Sequence, residues 1–299
     1  MKKIEIKGII TPILTPMTED ESINEKELRN QVNRQINSGI HGLFPFGTNG
    51  EGYILSFEEK ETVLKIVIDE TKGRVPIYAG TGCIGTKETI KQSLMAQSIG
   101  ADVLSIITPS FGAASQDELY DHYKEIAEKV HMPIVLYNIP ARTGNSLLPS
   151  TVAKLAKIEN IIGAKDSSGN FDNMLQYIEQ TREMDFSILS GNDSLILWCL
   201  LAGGNGGIAG CANVYPKTMA SIYDTYVAGN LDKAREIQDS IRSFRGCFKY
   251  GNPNTIVKTA VALLGYPVGK CRKPFCKVPA DGIIALRKVL EENKAKGME

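Results

Sequence analysis

Residues 133–167 read PIVLYNIPARTGNSLLPSTVAKLAKIENIIGAKDS. The two ends, PIVLYNIP (133–140) and NIIGAKDS (160–167), are short runs with apolar residues at consecutive positions. That pattern suits strands of a parallel sheet covered on both faces, because a half-exposed strand would alternate. Between them Pro149 suits the first turn of a helix opening near Leu148, where a missing N–H costs nothing.

The same alternation continues outward. Upstream lie IKGIITPIL (6–14), GLFPFG (42–47), VPIYAGTG (75–82) and DVLSIITP (102–109); downstream lie FSILSGN (186–192) and GGIAGCAN (206–213). The stretches between them open like helices. Ser56 to Glu59 and Ser115 to Glu118 are capping boxes. Gly39, Gly73 and Gly100 follow amphipathic runs and suit C-caps. SFEEKETVLKIVIDETKG places Val63, Ile66 and Val67 at helical spacing. Eight strand–helix units in about 215 residues match a (β/α)8 TIM barrel. A doubly wound open sheet is the alternative, and the even recurrence of eight units favours the barrel. After Pro216 the strand signals stop, and 217–250, 254–265 and 280–296 read as helices broken at Gly251–Asn252–Pro253 and Pro267. The predicted organisation is a catalytic barrel over 1–216 and a C-terminal helical extension over 217–299.

Composition narrows the function. The 299 residues carry 34 Lys+Arg and 34 Asp+Glu, so the formal charge is zero, without the basic excess of a nucleic-acid binder. No run approaches the length of a membrane span, and MKKIEIKGII leads straight into TPILTP without a signal-peptide core. The cysteines at 83, 199, 211, 247, 271 and 276 form no CxxC pair and mostly lie in apolar segments, so they read as reduced thiols of a cytoplasmic protein. Cys271 and Cys276 lack a matching His or Cys pair, and His41, His122 and His131 sit away from strand ends, so no metal is expected.

In a barrel of this class the chemistry sits at the C-terminal ends of strands. Lys165 closes the sixth apolar run. Burial disfavours an ammonium, and a neutral amine attacks carbonyls; the competing reading is a rim lysine paired with Asp166. Tyr137 closes the fifth run and could relay protons or simply pack. Gly47–Thr48–Asn49–Gly50–Glu51–Gly52 offers converging donors for a carboxylate, or is a plain turn. Arg142 could grip a carboxylate from the loop after the fifth run. Gly80–Thr81–Gly82–Cys83–Ile84–Gly85 matches a dinucleotide fingerprint, but Asp102 precedes the next strand instead of closing it, so the match reads as chance.

Together GTNGE (47–51), YNIPARTG (137–144), GAKDSSGN (163–170), GND (191–193) and CRKPF (271–275) resemble the dihydrodipicolinate synthase / N-acetylneuraminate lyase family of pyruvate-dependent class I aldolases, over essentially the whole chain. The resemblance implies a catalytic set of Lys165, Tyr137 and Thr48. Lys165 would form an imine with pyruvate or another 2-oxo acid, with no metal or organic cofactor, and Tyr137 would relay protons. Thr48, Asn49 and Gly50 would bind the pyruvate carboxylate, and the Ile208 carbonyl would accept from the site. Arg142, Ser167, Gly191, Asn192 and Asp193 would line the second substrate. The family also implies small-molecule 2-oxo acid and aldehyde substrates and a homotetramer built as a dimer of dimers.

Departures set the order of expectations. Synthases usually read GTTGE and carry Tyr-Tyr after the fourth strand, the second tyrosine entering the relay across a subunit interface; here Asn49 and Ser110–Phe111 stand there. Sialic-acid lyases usually have GSTGE, Leu-Ser at Arg142–Thr143 and Glu at Ser194, although CRKPF is lyase-like. GTNGE and KDSSG resemble aldolases of shorter 2-oxo acids. With Phe111 breaking the relay, a 2-keto-3-deoxy acid aldolase comes first. Arg142 keeps a synthase condensing pyruvate with aspartate semialdehyde second, with N-acetylneuraminate lyase after it. A 2-oxo acid-binding regulator without turnover is the non-enzyme alternative.

Overall fold

The computed structural model describes residues 4–299. In chain order the first half runs β1 (Gly8–Thr11), α1 (Glu25–Asn37), β2 (Gly42–Leu43), α2 (Phe57–Thr71), β3 (Tyr78–Gly80), α3 (Thr86–Ile99), β4 (Val103–Ile107) and α4 (Gln116–Lys129). It continues with β5 (Ile134–Asn138), α5 (Pro140–Thr143), α6 (Pro149–Leu155), β6 (Ile161–Asp166), α7 (Phe171–Thr181), β7 (Ser187–Ser190), α8 (Ile196–Leu201) and β8 (Gly206–Ile208). The helical extension is α9 (Pro216–Val227), α10 (Leu231–Ser240), α11 (Arg242–Arg245), α12 (Pro253–Leu263) and α13 (Ala280–Ala295).

The strands form one eight-stranded sheet in the order β2-β1-β8-β7-β6-β5-β4-β3, so the first and last strands are neighbours. The pairs β1–β2, β3–β4, β4–β5, β5–β6, β6–β7 and β7–β8 are parallel. Strand–helix succession with β1 beside β8 is the (β/α)8 TIM-barrel class with a helical extension. At that junction the Gly8 amide donates to Asn205 at 2.9 Å. A Cβ on Gly206, whose φ is +150°, would stand 2.0 Å from the Gly8 carbonyl oxygen, so the strands meet only through glycine.

Two compact units divide the chain: Pro76–Ile208 with the segment up to Gly8, and Ile9–Val75 with Ala209–Glu299. The first holds β3 to β8, over a core that includes Val103, Leu104, Val135 and Leu136. The second holds most of β1, all of β2 and the helical extension, over a core that includes Ile10, Leu43, Val67 and Ile256.

Local chemistry sets the helix ends. Ser56 and Ser115 both close capping boxes with Glu59 and Glu118, and Pro149 occupies the first turn of α6. Gly100 caps α3 in the left-handed conformation. The predicted helix over 217–250 is divided, because Gly229 at φ +79° turns the chain and the Asn230 side chain caps α10.

Buried His122 on α4 links this fold to pH. Its Nδ1 is 2.9 Å from Thr86 Oγ1, and burial pushes its pKa from 6.5 down to about 4. The unfolded chain therefore binds the extra proton between those values, so His122 supports stability fully above 6.5 and loses that support as pH falls towards 4. Between pH 6.5 and 5 this group should cost about 2 kcal/mol, at 1.36 kcal/mol per pKa unit. Melting curves of wild type and His122→Gln should converge as the pH drops, and parallel curves would contradict the assignment.

Candidate active site

The fifth and sixth strands set the centre of the site. Their register puts Tyr137 opposite Lys165 and Asn138 opposite Asp166. Side chains alternate along a strand, so Tyr137 and Lys165 share one face while Asn138 and Asp166 share the other. The Asp166 carboxylate accepts from Asn138 Nδ2 at 2.8 Å, Ser168 N at 3.2 Å and Ser168 Oγ at 2.7 Å. The expected alternative, a lysine kept only as the ion partner of its neighbour, does not fit this alternation. Asp166 instead braces the strand ends.

Lys165 is 4 % exposed, and its Nζ lies 3.7 Å from the centroid of the Tyr137 ring. The nitrogen therefore rests directly on the ring face. Two backbone bonds fix the residues after it. Ser167 N donates to Asn138 O at 2.8 Å, and Gly191 N donates to Asp166 O at 2.7 Å. The Ser167 Oγ is buried without a hydrogen-bond partner among the described residues. It lies against Gly191, where a Cβ would stand 1.8 Å from Ser167 Oγ and 2.8 Å from Lys165 Cε. Glycine at 191 thus keeps clear the space that the lysine side chain needs. Gly191→Ala should displace Lys165 and lower kcat/KM about 100-fold, the usual scale for misplacing a reacting group by about 1 Å. Steady-state kinetics check this, and wild-type activity in the variant would refute it.

The other candidates of this unit lie at or just after the ends of β5, β7 and β8. Asn192 accepts from Ser194 N at 3.1 Å, which starts a short 3-10 turn containing buried Asp193. Ile208 closes β8 and is buried. Arg142 is exposed on α5, a single helical turn where the sequence suggested a loop. Next to it Thr143 Oγ1 accepts from Thr108 Oγ1 at 2.9 Å. Asn145 donates to Pro109 O at 2.9 Å and Gly112 O at 2.8 Å, and accepts from Ala114 N at 2.8 Å. These three bonds flank Phe111, which is 99 % exposed at φ +78°.

The second unit carries Thr48, Asn49 and Gly50 on one tight loop. Glu51 N donates to Thr48 O at 3.2 Å, and Gly52 N donates to Gly47 O at 3.3 Å. Thr15 Oγ1 donates to Gly50 O at 2.7 Å. A Cβ on Gly210 would come 2.8 Å from Asn49 Nδ2, so the amide rests on a bare glycine backbone. Glu51 is fully buried, and its carboxylate accepts from Lys258 Nζ at 2.6 Å and from Arg272 N at 2.8 Å. The Arg272 guanidinium also holds Glu59, and this bond keeps the Glu59 carboxyl below its usual range. Sequence reasoning missed Glu51, Asn254, Lys258 and Arg272 as a set. The available signal was Lys258 itself, a charge inside the apolar run TIVKTAVAL (255–263).

Among the described residues no group of three or more His, Cys, Asp or Glu could hold a metal, and no helix is long and apolar enough to cross a membrane. The six cysteines are thiols, and burial pushes that of Cys271 up to about 12, out of the reactive range.

Comparison with known proteins shows the family of the chain. The sequence model of the dihydrodipicolinate synthetase family matches residues 5–293. The chain is 40 % identical over 291 residues to a 4-hydroxy-tetrahydrodipicolinate synthase of Methanopyrus kandleri, covering 96 % of each chain. It is 41 % identical over 286 residues to an enzyme of the same name from Syntrophus aciditrophicus, covering 95 % of this chain and 97 % of the other. Among solved structures it is similar to the chloride-inhibited dihydrodipicolinate synthase of Acinetobacter baumannii complexed with pyruvate (TM-score 0.94, 32 % identity, 97 % of this chain and 99 % of that one). It is also similar to YagE, a prophage protein of E. coli K12, in complex with pyruvate (TM-score 0.92, 29 % identity, 96 % and 98 %).

Proposed function

Because the chain belongs to the dihydrodipicolinate synthetase family of class I Schiff-base lyases, we propose that Lys165 is the residue that forms the imine with pyruvate. The observation carrying this reading is the buried Lys165 amine over the Tyr137 ring, with Gly191 leaving room beside it. The amine attacks the pyruvate ketone, a proton moves to the carbinolamine oxygen, and water leaves to give a protonated imine. That cation lies against the Tyr137 ring, and a ring face attracts positive charge. Loss of a C3 proton gives an enamine, which attacks an aldehyde carbon; cleavage is the same path reversed. Tyr137 relays the protons. Thr48, Asn49 and Gly50 take the pyruvate carboxylate, and the Ile208 carbonyl accepts from the bound substrate.

For the second substrate the names of the relatives favour aspartate semialdehyde, the reading supported in the sequence by Arg142. Arg142 binds its carboxylate, and Ser167, Gly191, Asn192 and Asp193 line its chain. The second reading, cleavage of a 2-keto-3-deoxy acid, rests on Phe111, which has no phenol to add to a relay. The enzyme acts in the cytoplasm as a homotetramer, without metal or organic cofactor; light scattering at micromolar protein tests the assembly.

Parallel assays decide the substrate. Pyruvate with aspartate semialdehyde should turn over at roughly 1–1000 s⁻¹, the ordinary enzyme range. Turnover confined to the deoxy sugar acids selects the second reading. Imine formation without turnover of any aldehyde identifies a 2-oxo acid-binding regulator.

A further inference from the structure

The tight loop Gly47–Gly52 is held from the helical extension by two residues of α12. Asn254 and Lys258 are four apart and so share one helix face. Asn254 Nδ2 donates to the Thr48 carbonyl at 2.7 Å. Lys258 Nζ donates to Glu51 at 2.6 Å, with the two side chains 1 % and 0 % exposed. Glu51 sits at φ +58°, a left-handed backbone that a non-glycine residue adopts only when its surroundings enforce it. The enforcement is visible: Lys258 and Arg272 N hold its carboxylate, and its own amide closes on Thr48 O. The two arms of α12 grip the loop at Thr48 and at Glu51, three residues apart, and between them lie Asn49 and Gly50.

We propose that Asn254 and Lys258 are positioning residues for pyruvate, fixing the direction of the Thr48–Asn49–Gly50 donors that take its carboxylate. This rests on the assignment of that loop to the carboxylate. Neither residue touches substrate. Asn254 orients the peptide plane after Thr48 through its carbonyl, and therefore aims the Asn49 N–H that belongs to the same plane. Lys258 keeps the loop's far end in the left-handed turn. A buried ion pair is costly to form and contributes little net stability, so geometric specification is the use that explains one here.

The experiment is borohydride trapping over a pyruvate series, together with steady-state kinetics in pyruvate and in the aldehyde. In Asn254→Ala the pyruvate concentration for half-maximal trapping and the KM for pyruvate should each rise about tenfold, the effect of one lost hydrogen bond. The kcat and the KM for the aldehyde should stay within about twofold, because bonds made after pyruvate is seated are unchanged. Lys258→Met should shift pyruvate half-saturation in the same direction and further. Should it fail to fold, Asn254→Ala decides alone. An unchanged pyruvate half-saturation in folded Asn254→Ala, or an equal rise for both substrates, overturns the proposal. A wild-type protein that takes no adduct on Lys165 overturns the underlying reading and this inference with it.

Discussion

Lys165→Ala should lower kcat by about 10⁴-fold or more while leaving the fold intact. Removing a covalent nucleophile costs more than removing any group that only assists, because the step it opens has no substitute. At 1.36 kcal/mol per factor of ten this is at least about 5 kcal/mol of barrier. The structural cost is small by comparison. The truncation removes a buried amine at the end of β6, while the bonds bracing that end run through Asn138, Asp166 and Gly191 instead. Lys165→Arg should fail as completely, since a guanidinium keeps a positive charge in the same place but cannot form an imine. A melting temperature near wild type in both variants, with turnover lost, is the expected pair of results. Activity retained by Lys165→Ala would remove the lysine from the mechanism.

Lys258→Met should give the largest loss of stability of any single change near the site. It leaves the Glu51 carboxylate, fully buried, with Arg272 N but without its cation. Breaking one partner of a buried pair costs about 3–5 kcal/mol. For a chain of this size that corresponds to a fall in melting temperature of roughly 5–8 °C. Replacing both partners, Glu51→Leu with Lys258→Met, should cost less than the sum of the two single changes, by about 1–3 kcal/mol of coupling. Thermal melts of the four proteins measure that term. Strict additivity would mean that the pair is not an energetic unit.

The contrast between these two lysines explains what the sequence could reveal. The placement of Lys165 beside Tyr137 was legible because each closes an apolar run of consecutive strands, and strand register then sets them side by side. The helices that opened with Ser56 and Ser115 were legible because a capping box is a local interaction. Strand ends were less so. The apolar run 42–47 suggested a strand, but the ladder stops at Leu43. Phe44 and Phe46 are apolar because they fill the core from the loop, and a hydrophobic count cannot separate that from a strand. Lys258 was not legible as a partner of Glu51, because 207 residues separate them and only the tertiary fold brings them together. The requirement for glycine at 191 was invisible for the same reason: it comes from Lys165 on β6 and Ser167 just after it, not from a turn of its own.

The most direct test of the central claim is trapping by borohydride in the presence of pyruvate, followed by mass spectrometry of the intact protein and of its peptides. One reduced pyruvyl adduct per chain is expected, on the peptide containing Lys165, and none in Lys165→Ala. No adduct in the wild type, or an adduct that persists in Lys165→Ala, would contradict it.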